Sequence, residues 1–234
     1  VAEFQRWQAA AEGLVKLVTL APEYPEAPEY IRALSAQGVI VSLGHSAATP
    51  EQVRIAIDAG ARLSTHLGNG VAATLPRHPN LVWAQLADDR LTASFIADGH
   101  HLSAETFRAM LRAKGRDRTI LVSDSVALAG QSPGRYRQPV GGDVDVGADG
   151  RIGVAGTPYL AGAGLPLSAN LARAMAMAGL SPQDAFPLVT ENPARLLGRS
   201  GRLAAGASAD LIRWRMTDGL PVIEQVWVAG QEVR

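Results

Sequence analysis

All five histidines of the chain, His45, His66, His78, His100 and His101, lie between Gly38 and Asp124. Four of them stand at the ends of short apolar, β-branched runs: GVIVSLGHS carries His45, ARLSTHLGN carries His66, and ASFIADGHH carries His100 and His101. TILVSDS delivers Asp124 in the same way, and LVKLVTLAPE delivers Glu23. Two neutral imidazoles plus a carboxylate are a common zinc-binding set with a position left open for water. A further carboxylate such as Asp124 could take a proton from metal-bound water and return it to a leaving group. The chemistry these residue types suggest is therefore metal-assisted hydrolysis, with His45, His66 and Asp124 as the working set. His78 is flanked by Pro76 and Pro79 and is read as a loop residue with no ligand role.

Such residues need elements that aim them at one place. The runs read as strands over 14–20, 39–43, 62–67, 91–97 and 119–123, and the segments between them have helical spacing. Strand, polar tip and helix in repetition is the pattern of a parallel α/β sheet with its chemistry at the carboxyl ends of the strands. His45 and His66 end consecutive strands, so their rings can converge above one rim. Helix starts are legible at Thr49-Pro50 with Gln52 as its partner, at Asn80, and at Ser103. The inner face of the first of these should carry Val53, Ala56, Ile57 and Gly60, and that of the third Phe107, Met110 and Leu111; the short helix from Asn80 should run through Trp83 and Leu86. A first helix over 1–13 should carry Phe4, Trp7 and Ala11 at helical spacing. The stretch 68–80 is rich in Gly, Pro and polar residues and reads as a loop on the functional face.

Beyond Gly130 the character changes. Residues 131–157 alternate short strand-like pieces with Gly and Asp, as an excursion or hairpin would. A helix follows over 165–179 with Leu171, Ala172 and Met175 inward, and further helices start at Ser181-Pro182 and Asn192-Pro193. Strand-like runs at 209–214 and 222–228, with a turn at Ala229-Gly230, close the chain. The expected division is a catalytic α/β domain over 1–200 and a small β domain over 201–234.

Composition narrows the function classes. With 234 residues and 47% hydrophobic content the chain can build a substantial core. There is no continuous apolar run of membrane-spanning length and no visible signal peptide. The 22 basic and 22 acidic residues cancel, and no basic stripe recommends a nucleic-acid partner. Zero cysteines excludes disulfides, thiolate metal sites and a cysteine nucleophile, and fits a reducing, cytoplasmic setting. Any metal must be held by His, Asp or Glu. The first residue is Val, which suggests a natural start elsewhere.

VTLAPE, GHSAAT, THLGNG, IADGHH, LVSD, NPARLLG and GRLAAGASADL occur here in the order seen in the N-acetylglucosamine-6-phosphate deacetylases of the amidohydrolase superfamily, which the chain resembles over nearly its whole length. The resemblance implies a metal-dependent (β/α)8 barrel with a small β-sandwich, in which the five strands are the fourth to eighth of the barrel. It implies that His45 and His66 ligate a divalent metal, Zn2+ by expectation, and that Asp124 is the catalytic acid and base. It implies that Asn69, Gly70 and Arg77 contact the sugar phosphate, that His101 contacts the substrate, and that Leu160, Ala161 and Gly162 belong to the loop closing on the sugar. A small-molecule amino sugar as substrate and a homodimer go with it.

The chain also departs from that pattern. The H-L-E-G-P segment that supplies the family's carboxylate ligand is absent, and so are the first three barrel strands. Glu23 takes a supporting role and not that of a ligand. The chain thus reads as a fragment, or as half of an enzyme completed by another polypeptide. Two alternatives stay open: an amidohydrolase acting on a different N-acyl or cyclic amide, and an inactive chain whose surfaces serve assembly.

Overall fold

The computed structural model describes residues 1–139 and 142–233. The first part alternates helix and strand: α1 (Ala2–Ala10), β1 (Leu17–Leu20), α2 (Ala27–Ser35), β2 (Ile40–Leu43), α3 (Pro50–Ala59), β3 (Leu63–Ser64), α4 (Leu81–Ala87), β4 (Thr92–Phe95), α5 (Ala104–Lys114) and β5 (Thr119–Leu121). The second part is β6 (Gly134–Gln138), β7 (Gly142–Val146), β8 (Arg151–Val154), β9 (Leu160–Ala163), α6 (Leu167–Ala178), α7 (Pro182–Ala185), α8 (Glu191–Leu196), β10 (Leu211–Thr217), β11 (Leu220–Val228) and β12 (Gln231–Glu232). Two compact units share these elements, Val1–Phe95 with Met110–Ile120, and Ile96–Ala109 with Leu121–Arg234.

In the first unit the strands form a sheet in sequence order, β1-β2-β3-β4-β5, and the pairs from β1 to β4 are parallel. Val41 and Leu43 of β2 are buried against Ile31 and Leu34 of α2 and against Val53, Ala56 and Ile57 of α3. Each such aliphatic side chain taken from water contributes about 1.5–3 kcal/mol. The start of α3 is the expected capping box: Gln52 N donates to Thr49 Oγ1 at 3.2 Å and Thr49 N donates to Gln52 Oε1 at 2.8 Å. Asn80 caps α4 in the same spirit, its Oδ1 accepting from Val82 and Trp83. At the other end of α4, the buried Lys114 ammonium donates to the carbonyls of Gln85 and Asp88, satisfying acceptors that the helix leaves open.

The second unit holds an antiparallel sheet, β6-β7-β8-β9, over a small core of Leu128, Val144, Val146 and Ile152. A three-stranded sheet, β10-β11-β12, closes the chain. Trp214 of β10 stacks on Phe186 with ring centroids 4.0 Å apart. The β-rich reading of 131–157 also took in Val140 and Gly141, which lie outside the described residues. No helix among the described residues is long and apolar enough to cross a membrane.

Several expectations shift in detail. The strand expected over 62–67 is two residues long, because His66 has φ 27° and leaves the extended region. Of the residues at helical spacing in the first helix, Phe4 is buried and Trp7 is about half exposed. On α6 the buried residues are Asn170, Leu171 and Ala174, while Ala172 and Met175 are only half-buried. Asn170 is drawn inward because its amide donates to the carbonyls of Leu165 and Pro166 at the helix start. The last helix begins at Glu191, one residue before the Asn192 expected to start it.

Candidate active site

The register of β2 on β3 pairs Ser42 with Leu63 and Leu43 with Ser64. Carried two residues past the strands, the same offset of 21 sets His45 against His66. Their Nε2 atoms are 2.9 Å apart, and the rings meet edge to face with centroids 4.7 Å apart. His66 is buried and His45 is exposed. Both have positive φ, 51° at His45 and 27° at His66, as does Asp124 at 52°. Non-glycine residues adopt that region at a cost of about 1–3 kcal/mol each, and do so where the surroundings hold them in it.

The surroundings are specific. Ser94 of β4 accepts from His66 N at 2.8 Å and donates to the Ser64 carbonyl at 3.0 Å, so one hydroxyl fixes the turn out of β3. A Cβ on Gly70, whose φ is 61°, would sit 2.8 Å from His45 Nδ1, so the loop after His66 lies directly on the other ring. Glu23 braces the loop after His45: Ser46 Oγ donates to its Oε2 at 2.6 Å and Ala47 N to its Oε1 at 2.9 Å. Burial pushes the Glu23 carboxyl up, but the bonds from Ser46 and Ala47 outweigh it and hold the group below the ordinary carboxylate range. Both of its oxygens are thus committed to the loop after His45, one to a hydroxyl and one to a backbone N–H.

Two imidazole nitrogens at this distance have one proton, or one small cation, between their lone pairs. Bound to a tetrahedral zinc at about 2.0–2.1 Å, they would stand about 3.3 Å apart, a parting of a few tenths of an ångström. His45 and His66 therefore fit as two ligands of such an ion. Among the described residues no group of three or more His, Cys, Asp or Glu side chains is gathered to hold a metal.

In the second unit Asp124 and the stretch Leu160, Ala161 and Gly162 come together. Ala163 N donates to the Asp124 carbonyl at 3.3 Å, Val126 N donates to the Ala163 carbonyl at 3.1 Å, and Ser125 bridges Ala163 in parallel. The end of β9 therefore grips the chain on both sides of Ser125. Gly162, with φ 96°, lies so close that a Cβ there would fall 2.1 Å from Val126 Cγ1. Asp124 itself is exposed.

His101 also has a partner that the sequence reading passed over. Asp98 is 1% exposed. Its Oδ1 accepts from the backbone N–H groups of His100 and His101, both at 2.9 Å, and its Oδ2 accepts from His101 Nδ1 at 2.7 Å. Burial pushes this carboxyl up, yet the bonds from His101 and His100 dominate and hold it down at about 2. The signal was available in the sequence: Asp three residues before His in a turn containing Gly99 is the spacing of a side chain capping its own turn. Arg173 of α6 donates to the Asp98 carbonyl, and His100 Nε2 lies 3.3 Å from the Asp149 carbonyl.

Asn69 stays beside His66, its backbone N and side-chain amide both donating to the His66 carbonyl. Arg77 is exposed, in the turn whose carbonyls at Pro76 and Arg77 accept from Asn80. His78 packs its ring on Trp83, with centroids 6.2 Å apart. In sum, His45, His66, Asn69 and Gly70 assemble in the first unit, and Asp124 with Leu160, Ala161 and Gly162 assemble in the second. Arg77, in the first unit, and His101, in the second, each stand on their own local supports.

The profile of the Amidohydrolase family matches residues 1–233. The N-acetylgalactosamine-6-phosphate deacetylase of Escherichia coli O157:H7 is 34% identical over 99% of this chain and 60% of its own length. The N-acetylglucosamine-6-phosphate deacetylase of Bacillus subtilis is 34% identical over 89% of this chain and 53% of its own. A solved structure of a mutant N-acetyl-D-glucosamine-6-phosphate deacetylase from Mycobacterium smegmatis, in complex with N-acetyl-D-glucosamine-6-phosphate, superposes with a TM-score of 0.86 at 38% identity. It matches 99% of this chain and 61% of its own length, so the chain spans little more than half of the relatives it resembles.

Proposed function

We propose that this chain, which belongs to the amidohydrolase family, carries the hydrolytic centre of an enzyme that removes the N-acetyl group of N-acetylglucosamine 6-phosphate, giving glucosamine 6-phosphate and acetate. The observation that carries the reading is the His45–His66 pair, two imidazole nitrogens 2.9 Å apart on left-handed strand tips. Held by these two rings, a divalent ion, taken as Zn2+, would lower the pKa of a water and polarise the amide carbonyl.

Asp124 takes a proton from the water oxygen as that oxygen bonds to the acetamide carbon. It gives the proton to nitrogen as the C–N bond breaks, so that the amine departs and acetate remains. His101 contacts the substrate, orienting it or supporting the developing oxyanion. Asn69, Gly70 and Arg77 take the phosphate, the guanidinium through paired charge-assisted bonds. Leu160, Ala161 and Gly162 close on the sugar beside Asp124. With this reading go a (β/α)8 barrel, the C-terminal strands as part of a small β-sandwich, a homodimer and a cytoplasmic setting.

A second substrate has an observation in its favour. The two curated relatives described above are equally similar at 34%, and they are named for the gluco and the galacto sugar. N-acetylgalactosamine 6-phosphate, differing at one ring hydroxyl, is therefore a candidate of equal standing.

The test is acetate release by the metal-loaded protein from both 6-phosphates and from unphosphorylated N-acetylglucosamine. The expected result is release from a phosphorylated sugar that falls by about 10³-fold or more in Asp124→Asn, with metal content unchanged, the scale of losing a general base in other hydrolases. Equal turnover by Asp124→Asn would refute the proton-transfer role. A preference for the unphosphorylated sugar would refute the phosphate site.

A further inference from the structure

Asp98 is a nearly fully buried carboxylate, outside every role assigned above, whose two oxygens accept from His100 and His101 of the DGHH turn. An ionised carboxylate offers only acceptors, so the proton in the 2.7 Å contact belongs to His101 Nδ1. In the neutral ring the other nitrogen then carries the lone pair. The charged and titratable groups facing this pair are Arg173 of α6, which donates to the Asp98 carbonyl and reaches His100 Nε2 at 3.5 Å, His100 itself, and Asp149 from the turn between β7 and β8. Arg173 also donates to the Asp149 carbonyl at 3.3 Å, so the turn is held to α6 and to the β7–β8 turn by one guanidinium. Among the described residues the partner of His101 Nδ1 is the Asp98 carboxylate, an acceptor.

We propose that Asp98 is a positioning residue that locks His101 in the Nδ1–H tautomer, so that Nε2 meets the substrate as an acceptor and its partner there is a donor, a sugar hydroxyl. The proposal rests on the reading of His101 as a substrate contact, and it chooses between the two roles left open for that ring. A neutral ring with its proton on Nδ1 cannot donate from Nε2 to a developing oxyanion, so in that state its part is to hold the sugar.

The experiment reads the ring directly. Imidazole 15N–1H correlation spectra of the whole protein at pH 8, with His101 assigned by its loss in His101→Gln, report which nitrogen carries the proton. The expected wild-type ring is Nδ1–H. In Asp98→Asn the amide oxygen keeps the two backbone N–H bonds and the amide nitrogen faces Nδ1 as a donor, so the ring should switch to Nε2–H. A wild-type ring protonated on Nε2 overturns the proposal, whether or not Asp98→Asn folds.

Activity supplies the second arm, using whichever 6-phosphate proves the substrate. Asp98→Asn should lower kcat/KM by about 10- to 100-fold, the cost of losing a partner that orients a working histidine. In a His101→Gln background the same substitution should change it less than twofold. An equal loss in both backgrounds would mark Asp98 as merely structural and overturn the proposal. If no 6-phosphate is turned over, the deacetylase reading fails, and the spectra still decide the tautomer.

Discussion

Replacing Gly162 by Ala isolates one contact on which the placement of Asp124 depends. Two terms add. At φ 96° an L side chain is strained, which costs about 1–2 kcal/mol. The new Cβ would also lie 2.1 Å from Val126 Cγ1 and 3.2 Å from both Val126 Cβ and Cγ2, an overlap that must be relieved by shifting backbone or rotamer. Overpacking of this kind costs about 1–3 kcal/mol, so the expected total is about 2–5 kcal/mol. Val126→Ala by itself removes two methyls from a half-buried site and should cost about 1 kcal/mol. It also removes the 2.1 Å and one of the 3.2 Å contacts. The double variant should therefore be less unstable than the sum of the singles by about 1–2 kcal/mol, while the φ term persists. Urea unfolding of the four proteins measures this coupling. Strict additivity within about 0.5 kcal/mol would refute the claim that β9 is pressed against the chain after Asp124.

Other expectations follow from the same contacts. Thr49→Ala removes the acceptor for Gln52 N and should cost about 1 kcal/mol in chemical unfolding, with Thr49→Asn nearly neutral. Glu23 is held below its ordinary value, so it contributes stability above about pH 4.5 that is lost as pH falls through its folded value; Glu23→Gln should flatten that part of the acid stability profile and weaken metal binding at His45. Lys114 is pushed down to about 8, mainly by burial, so the folded chain releases its proton before the unfolded chain does. Its contribution to stability should rise between about pH 8 and 10.5, a rise seen in denaturant midpoints and missing in Lys114→Met.

What could be read from the residues alone was what is local. The caps at Thr49, Asn80 and Ser103 were legible because a cap is a bond between a side chain and backbone two or three residues on. The strand tips at His45, His66 and Asp124 were legible because a β-branched run that ends in a polar residue marks where a strand leaves the core. The inner face of α6 was misplaced because the deciding bonds of Asn170 depend on how the chain enters the helix. The Asp98–His101 pair is local as well, but residue type alone marks the histidines as possible ligands and does not mark the carboxylate that holds one of them.

The sequence by itself determined the order of strand and helix, the residue types available for chemistry and the absence of thiol ligands, because each depends on neighbours in the chain or on composition. Only the tertiary structure decided that His45 and His66 meet at Nε2, that Glu23 is consumed in bracing their loop, and that β9 grips the backbone beside Asp124. Those facts join residues 21 or more positions apart. Distance along the chain carries no information about contact until strand register and packing have brought the segments side by side.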